Sequence, residues 1–367
     1  RTNAGDIVQI CELVDGLPLG IEMAARWLVH LDCKAILREL ARSLDILTTT
    51  RRDSALRHQT LRAVFNQSWI LLSQEEQQLL LQLAIFRPNF SAAAAHAVTD
   101  ASLQQLAALV NKSLLNKNGD GHFTMHRTVR HFSQEKLDRY DGFRSTFEQQ
   151  YLAYYLGQLA RSDDMYAPQW AAVKAGFLQE IDNVKAALQL ALSYRRWREL
   201  LGALETVGHL HDQQGWFLEG AEFCRMVYIQ LESSSEALSL HKQYTTRILR
   251  GFLLTMQGWY NTRLGRSAMA RSLYQRGLVI LRAVCDELGA AEGAFPELAH
   301  IAQTRLGSCL RYYGLFELWQ DQPLTALDLL QEVQQLEDKK SHTVMTEYGL
   351  SEVMFRLGHY VEAQAHS

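Results

Sequence analysis

The sequence predicts an all-α protein with one small β-hairpin. Leu, Ala and Gln dominate the composition, and the 367 residues include only five prolines, which favours helices. Apolar residues recur at helical spacing through most of the chain. One stretch, at about 113–125, departs from this pattern. Its apolar residues alternate on both sides of Asn118-Gly119-Asp120-Gly121, and these residues supply the positive φ angles that a tight hairpin needs.

Two amphipathic helical patterns fill the first predicted segment, residues 1–50, on either side of the turn Gly16-Leu17-Pro18-Leu19. Residues 45–56 are polar and read as a linker. A helix is expected at about 58–72.

The second predicted segment is 51–142. Ser73 and Glu76 form a capping box that opens a helix, and Ser91 can cap the next one. A further helix follows at about 101–111, then the hairpin, then a helix at about 126–140. The order helix, helix, helix, hairpin predicts a winged helix.

The third predicted segment, 143–367, contains a degenerate internal repeat of helix pairs. In each unit a small or turn residue is followed five positions later by a small residue that lets two helices approach closely. The four turn residues are Gly215, Gly265, Asp321 and Gly358, and the four small residues are Gly220, Ala270, Ala326 and Ala363. The pattern is typical of tetratricopeptide-like repeats, and it predicts a superhelical arc.

Charge and cysteine content exclude several classes of protein. The formal net charge is −3 and the pI is about 6.5, which indicates neither a nucleic-acid footprint nor a membrane-surface patch. The five cysteines are scattered without a CxxC pair, as expected for free thiols in a cytoplasmic protein. No signal peptide or long apolar run is present. The chain starts at Arg1 and ends inside a helical pattern, so we expect a piece of a longer protein.

Several motifs together resemble the STAND signalling ATPases of the NB-ARC and bacterial regulator type. "ICELVDGLPLGIEMAARWL" resembles the GLPL segment that follows the nucleotide-binding core. "LAALVNKSLL" and the pair Met125-His126 resemble the end of the family's winged helix, where a Met-His-Asp motif lies. "FLQEIDNVKAALQLALS" at 177–193 resembles the start of the superhelical repeats. The motifs occur in family order and cover residues 5 to about 195 closely.

This resemblance implies a nucleotide contact. In the family, the GLPL turn packs beside the adenine, which here points to Gly16, Pro18 and Leu19, and the histidine that corresponds to His126 reaches the β-phosphate of ADP and clasps the inactive state. Arg127 stands where the family has Asp, which removes the usual backbone partner. Two structural interpretations remain open: the turn only links two helices, and His126 is an ordinary structural residue.

The sequence lacks the groups needed to hydrolyse ATP. There is no G-x-x-x-x-G-K-[ST] loop and no strand that ends in paired acids. We therefore predict a chain that is not itself an enzyme, with no catalytic residues, no metal site and no cofactor of its own. ADP or ATP with Mg²⁺ would belong to the parent protein, with the ATPase core before Arg1.

Direct DNA binding by the winged helix is the alternative that the fold suggests. The candidate recognition helix, "ASLQQLAALVNK", carries one Lys and no Arg, whereas a helix in the major groove needs donors for bases and cations for phosphates. We expect no direct nucleic-acid contact from this chain. The alternative function is a winged-helix transcriptional regulator whose repeats bind a partner.

The repeats are the predicted recognition surface for a protein or small-molecule effector. The first helix of each pair would line the concave side of the arc, and these helices mix aromatic residues with Arg, His, Gln and Asn. The candidate contact residues are Arg250, Tyr260, Arg263, Arg311 and Tyr312. The competing interpretation is that the aromatic residues pack between repeats and the arginines are solvated. The resemblance also allows oligomerisation of the parent on activation.

Overall fold

The structure is a computed structural model that describes residues 3–14, 18–29, 31–40, 65–66, 68–137, 143–161, 169–232, 239–291, 293–336 and 344–366. These residues form helices and one two-stranded sheet, so the predicted all-α class is confirmed. None of the described helices has the length and apolar character needed to cross a lipid bilayer.

The chain divides into two compact units. Unit 1 contains residues 1–155 and 175–190, and unit 2 contains 156–174 and 191–367. The predicted segments 1–50 and 51–142 both fall within unit 1. The predicted division into three domains stays a prediction.

The first part of the chain supplies nine α-helices with assigned bounds, a 3-10 helix at Trp27–Val29 and both strands. Residues 33–40 are also helical. The elements are α1 (Ala4–Leu13), α2 (Pro18–Arg26), α3 (Gln74–Leu83), α4 (Ala92–Thr99), α5 (Leu103–Asn111), β1 (Asn116–Lys117), β2 (Phe123–Thr124), α6 (Arg127–Leu137), α7 (Phe143–Ala160), α8 (Trp170–Gln179) and α9 (Ile181–Ser193). The predicted linker at 45–56 lies outside the described residues, as does part of the helix predicted at 58–72.

The predicted helix caps of unit 1 are confirmed. The hydroxyl of Ser73 accepts from the amide of Glu76 at 3.2 Å, and the Glu76 carboxylate accepts from the amide of Ser73 at 2.8 Å. Ser91 accepts from the amide of Ala94 at 3.1 Å and begins α4. Each contact satisfies a backbone donor that the first turn of a helix leaves without a partner.

The predicted hairpin is also confirmed. β1 and β2 are antiparallel, and Asn116 pairs with Thr124. Gly121 has a φ of 82°, the left-handed conformation that the Asn-Gly-Asp-Gly sequence indicated. Phe90 adds a β-bridge to Phe123, which attaches the hairpin to the loop between α3 and α4. The order α3, α4, α5, hairpin, α6 is the order expected for a winged helix.

Unit 2 contains consecutive helix pairs. They are α10 (Trp197–Gln214) with α11 (Phe217–Glu232), α12 (Leu240–Arg263) with α13 (Ser267–Ala290), α14 (Pro296–Trp319) with α15 (Pro323–Leu336), and α16 (Val344–Arg356) with α17 (Tyr360–Ala365). The first helices also pack on one another, α10 on α12, α12 on α14 and α14 on α16. Neighbouring pairs therefore bury apolar residues between them, in one large cluster from α10 to α15 and a smaller one that α14, α15 and α16 share.

The repeat pattern read from the sequence matches the turns of unit 2. Each predicted turn residue follows a first helix and has a positive φ: 71° at Gly215, 72° at Gly265, 59° at Asp321 and 83° at Gly358. A left-handed residue at this place ends a helix by satisfying its last carbonyls. The small residues five positions later are buried at the helix–helix contacts, as predicted.

Candidate functional site

The second half of the GLPL segment, Pro18 and Leu19, begins α2. Gly16 and Leu17 lie outside the described residues. Pro18 is exposed as the first residue of α2, where its fixed φ suits the first helical turn, and Leu19 follows it. Gly20 is buried against α1: a Cβ at this position would lie 3.0 Å from the Cβ of Val14. The start of α2 therefore lies close to the end of α1, and Pro18 is accessible.

His126 lies immediately before α6 with its imidazole exposed. Its Nδ1 accepts a hydrogen bond of 3.3 Å from the amide of Thr128. Because an accepting Nδ1 carries no proton, the neutral ring holds its proton on Nε2. His126 thus caps α6 on one side and presents an N–H donor on the other.

Positive charge surrounds the start of α6. Burial and the charges of Arg87 and Arg127 lower the pKa of Arg130 below its usual value, and Asp182 partly opposes this effect. The N-terminus of a helix carries a partial positive charge of its own. The first turn of α6, which follows His126, thus carries two arginines and the positive end of the helix dipole, and both are favourable for an anion.

Asn183 connects α9 to the loop between α3 and α4. Its side chain is completely buried. Its oxygen accepts from the amide of Arg87 at 2.7 Å and from the hydroxyl of Tyr151 at 3.0 Å, and its amide donates to the carbonyl of Asn89 at 3.2 Å. One side chain therefore satisfies two backbone groups of a loop that is distant in sequence.

Glu180 performs a similar role one turn earlier. Its carboxylate is 8% exposed and accepts from the hydroxyl of Tyr155 at 2.5 Å and the amide of Ser91 at 3.1 Å. The imidazole of His122, on the hairpin, lies 3.7 Å from it. Burial, and then the charge of Glu180, raises the pKa of Tyr155 well above its usual range. Glu180 and Asn183 are the Glu and Asn of the motif at 177–193, and their contacts join α8 and α9 to the hairpin and to α4.

The candidate DNA-recognition helix, α5, packs with one face against the rest of unit 1. Leu106 and Leu109 are buried in the core of unit 1. The one lysine of this segment, Lys112, forms an ion pair with Glu76 at 2.5 Å. The exposed end of the helix carries an apolar residue, Leu103.

The five candidate partner-contact residues separate into two groups. Tyr260, Arg311 and Tyr312 are buried in unit 2. Tyr260 contacts the Nδ1 of His211 through its hydroxyl at 3.1 Å, and Arg311 donates to Thr346 at 2.9 Å, so these side chains join neighbouring helices. Arg250 and Arg263 keep accessible surface. Tyr260 and Tyr312 thus pack between helices, as the competing interpretation has it for the aromatic residues, whereas Arg311 is buried and not solvated. The assignment of the five residues to a partner contact stays a prediction.

Arg263 lies in an aromatic and acidic setting at the end of α12. Its guanidinium is 5.2 Å from the ring centre of Phe217 and 5.8 Å from that of Trp259. Its Nε is 3.3 Å from a carboxylate oxygen of Asp212. Trp319, whose ring lies 5.6 Å from that of Trp259, is 42% exposed. Accessible Arg and Trp side chains are the kinds of residue on which protein interfaces depend.

The first helices carry three cross-connections that span α12, and we call these the first-helix rungs. Arg198 pairs with Glu297 and Glu205 pairs with Arg305; in the third, Asp212 accepts a hydrogen bond from Trp259 of α12, whose ring is tilted by 35° against the ring of Tyr312. On α10 their residues recur seven positions apart (198, 205, 212), and on α14 Arg305 and Tyr312 are also seven positions apart. This spacing keeps them on one helix face. Sequence reasoning missed these pairs, although charges at seven-residue spacing on α10 were a readable signal.

The cysteines and the possible metal ligands were also examined for reactive or metal-binding arrangements. Cys33, Cys224 and Cys309 are buried, and burial raises the pKa of Cys224 and Cys309 to about 12. Among the residues that the structure describes, no group of three or more His, Cys, Asp or Glu side chains is arranged to hold a metal ion.

Comparison with curated proteins finds relatives among mycobacterial regulators. No profile of a known protein family matches the chain. Proteins named "Putative HTH-type transcriptional regulator" from Mycobacterium tuberculosis and Mycobacterium bovis are 30% identical over 244 residues, which cover 61% of this chain. An uncharacterized protein of Mycobacterium tuberculosis is 31% identical over 140 residues, 35% of this chain and 36% of its own length. The chain spans only 27% of the length of the regulators it matches.

Comparison with solved structures finds a STAND protein with a tetratricopeptide repeat sensor from Pyrococcus horikoshii. The match covers 95% of this chain and 58% of that protein at 13% identity, with a TM-score of 0.32. A score this low does not establish a shared overall arrangement.

Proposed function

We propose that this chain is the regulatory and sensor portion of a STAND-type signalling ATPase. His126, with Gly16, Pro18 and Leu19 of the GLPL segment, contacts ADP bound mainly by a core elsewhere in the parent protein. The helix pairs of unit 2 bind a protein or small-molecule effector. The chain itself is not an enzyme.

The geometry of His126 carries this proposal. The imidazole is exposed, its Nδ1 is held by Thr128, and its Nε2–H is available as a donor at the positive end of α6. A phosphate oxygen is the kind of acceptor that such a donor and the neighbouring arginines favour.

The contacts of Glu180 and Asn183 support a regulatory role for the chain. They fasten the loop at 87–91 and the hairpin to α8 and α9. A movement of the hairpin or of the loop at 87–91 on nucleotide binding would therefore also move α9, because the hydrogen bonds of Glu180 and Asn183 connect them. The named function of the mycobacterial relatives, transcriptional regulation, fits a signalling protein whose output is gene expression.

Direct DNA binding through α5 is the second candidate, favoured by the names of those relatives. The burial of Leu106 and Leu109 and the pairing of Lys112 with Glu76 argue against it. A helix that reads the major groove keeps its cations available for phosphates.

Two measurements test the proposal. The complete protein, purified from cells and precipitated with acid, should release ADP that chromatography detects at about one equivalent. The 367-residue chain should cause no gel shift of genomic DNA fragments at low salt. A complete protein without nucleotide, or salt-sensitive DNA binding by this chain, would contradict the proposal.

A further inference from the structure

The Glu205–Arg305 pair is more buried than the other ion pairs described in unit 2, with side chains 12% and 8% exposed. Arg271 with Glu317, and Arg247 with Glu287, join helices that follow one another in the chain, and the pairs that skip one helix, Asp212 with Arg263 and Glu332 with Arg282, are more exposed. Glu205 on α10 and Arg305 on α14 instead meet across α12, which separates them. The ion pair therefore joins α10 to α14. Neither helix needs this contact to pack against its own partner, α11 or α15.

The surroundings of Arg305 form a compact receptor for a carboxylate. Arg305 is 6% exposed, and its guanidinium lies 4.6 Å from the ring centre of Phe252. The hydroxyl of Ser308, one turn later on α14, is 3.2 Å from a carboxylate oxygen of Glu205. A guanidinium fork, a hydroxyl donor and an aromatic surface are the groups that recognise a planar carboxylate. In this structure Glu205 supplies that carboxylate.

We propose that Arg305, Ser308 and Phe252 form a binding position for the carboxylate of a small organic acid, and that Glu205 occupies this position as an internal ligand. The inference rests on the proposed function, because it names the group of the effector that the helix pairs recognise. An incoming acid replaces Glu205 on Arg305, so the buried cation keeps a counter-charge. The exchange frees α10 from α14 while the contacts within each helix pair remain.

The chemistry of the exchange explains why an ion pair lies on this face. A buried cation that loses a carboxylate partner is strongly destabilised, whereas one carboxylate can take the place of another without that cost. Arg198 and Glu297, the neighbouring rung, are more than half exposed, so their pairing gives α10 little hold on α14 once Glu205 is displaced. The Glu205–Arg305 contact is thus the main charged contact that the acid has to replace.

The test uses acetate as the probe, because acetate matches the group removed by Glu205→Ala. The 367-residue chain and its Glu205→Ala variant are titrated with acetate at constant ionic strength, and the melting temperature and the calorimetric heat are followed. We expect saturable binding to Glu205→Ala with an affinity at least about tenfold greater than that of the unmodified chain, the factor that one charge-assisted contact provides. Inorganic phosphate should bind more weakly than acetate.

Three controls keep the result specific. Glu205→Ala combined with Arg305→Met should lose the acetate response. Glu287→Ala, which removes the acid from the more exposed pair with Arg247, should not gain one. Glu205→Gln preserves the shape of the side chain, and it should show the same direction of change if Glu205→Ala does not fold.

Several results would overturn the inference: no saturable acetate response in either Glu205 variant, a response that persists without Arg305, or phosphate binding as tight as acetate. The titration uses neither effector nor nucleotide. A negative result would therefore remove this binding position and leave the proposed function standing, which is tested separately by the nucleotide content of the complete protein.

Discussion

The amide of Arg87 donates a 2.7 Å hydrogen bond to the side chain of Asn183, a residue 96 positions later in the chain. The same side chain donates to the carbonyl of Asn89. A loop that leaves the core between α3 and α4 thus has its backbone satisfied by one asparagine of α9. These two hydrogen bonds, which we call the Asn183 junction, connect the loop at 87–91 to α9 within unit 1.

Removal of this junction should destabilise the protein. Asn183→Ala leaves a buried amide and a buried carbonyl without their partner, so we expect the free energy of unfolding to fall by about 2–4 kcal/mol. Urea denaturation of the 367-residue chain measures the change. Asn116→Ala, at an exposed position of β1, is the matched control and should change it by less than about 0.5 kcal/mol. Equal effects of the two variants would show that the junction is unimportant.

Close approach of helices at Gly220 gives a second prediction. A Cβ at this position would lie 2.5 Å from Cζ of Tyr260 and 2.8 Å from Nδ1 of His211. Gly220→Ala should therefore cost about 1–3 kcal/mol of stability, despite the higher helix propensity of Ala. Gly157→Ala, in α7 with no atom within 4 Å of the new Cβ, should be neutral or stabilise by up to about 1 kcal/mol. A stabilised Gly220→Ala variant would contradict the packing described here.

The turn residues and the small packing residues of unit 2 could be predicted from the sequence, because each depends on conformational preferences within a few neighbouring residues. A left-handed residue that ends a helix favours Gly or Asp, and a close helix contact five residues later favours Gly or Ala. The same holds for the caps at Ser73 and Ser91 and for the hairpin turn at Gly121.

The roles of Asn183 and Glu205 were not readable, because their partners are distant in sequence. Asn183 was noted only as part of a motif that resembles a family, and nothing near it points to the loop at 87–91. Glu205 and Arg305 are 100 positions apart, and their meeting depends on how α10, α12 and α14 pack. For Tyr260, Arg311 and Tyr312, composition alone could not distinguish an interface residue from one buried between helices, since both settings favour Tyr and Arg.

Buried tyrosines should make the protein sensitive to alkaline pH. Burial raises the pKa of Tyr260 and of Tyr274 well above its usual value. A raised pKa in the folded state means that the stability from these groups is complete below about pH 10, the pKa of an unfolded-chain tyrosine, and is lost as the pH rises above it. Each tyrosine should lower the free energy of unfolding by about 1.4 kcal/mol per pH unit in that range.

Urea denaturation at several pH values between 9 and about 11.5 checks this slope. Tyr274→Phe and Tyr260→Phe should each make it shallower. Tyr348→Phe, at an exposed position of α16, should leave it unchanged. Identical slopes in all variants would show that the buried hydroxyls do not control alkaline unfolding.

Substitution of the buried Arg311 should lower the free energy of unfolding more than substitution of the exposed Arg263. Arg311 is buried and donates to Thr346, which is itself fully buried, so Arg311→Ala should cost about 1–3 kcal/mol. The side chain of Arg263 is 41% exposed, and solvent screens its pair with Asp212, so Arg263→Ala should cost less than about 1 kcal/mol. Urea midpoints distinguish the two. A large loss for Arg263→Ala would place it with the packing residues and remove it as a candidate for effector contact.

The dissociation rate of ADP from the complete protein tests the central claim most directly. His126→Ala and His126→Asn both remove the Nε2–H donor, while Asn can still accept from the amide of Thr128 and keep the helix cap. His131→Ala, at an exposed position on the same helix, is the control. Displacement of a fluorescent ADP analogue should show release at least about tenfold faster in both His126 variants, as expected from the loss of one hydrogen bond to a charged group, with the control unchanged. A rate in the His126 variants equal to that of the unmodified protein would contradict the assignment of this residue to the nucleotide contact.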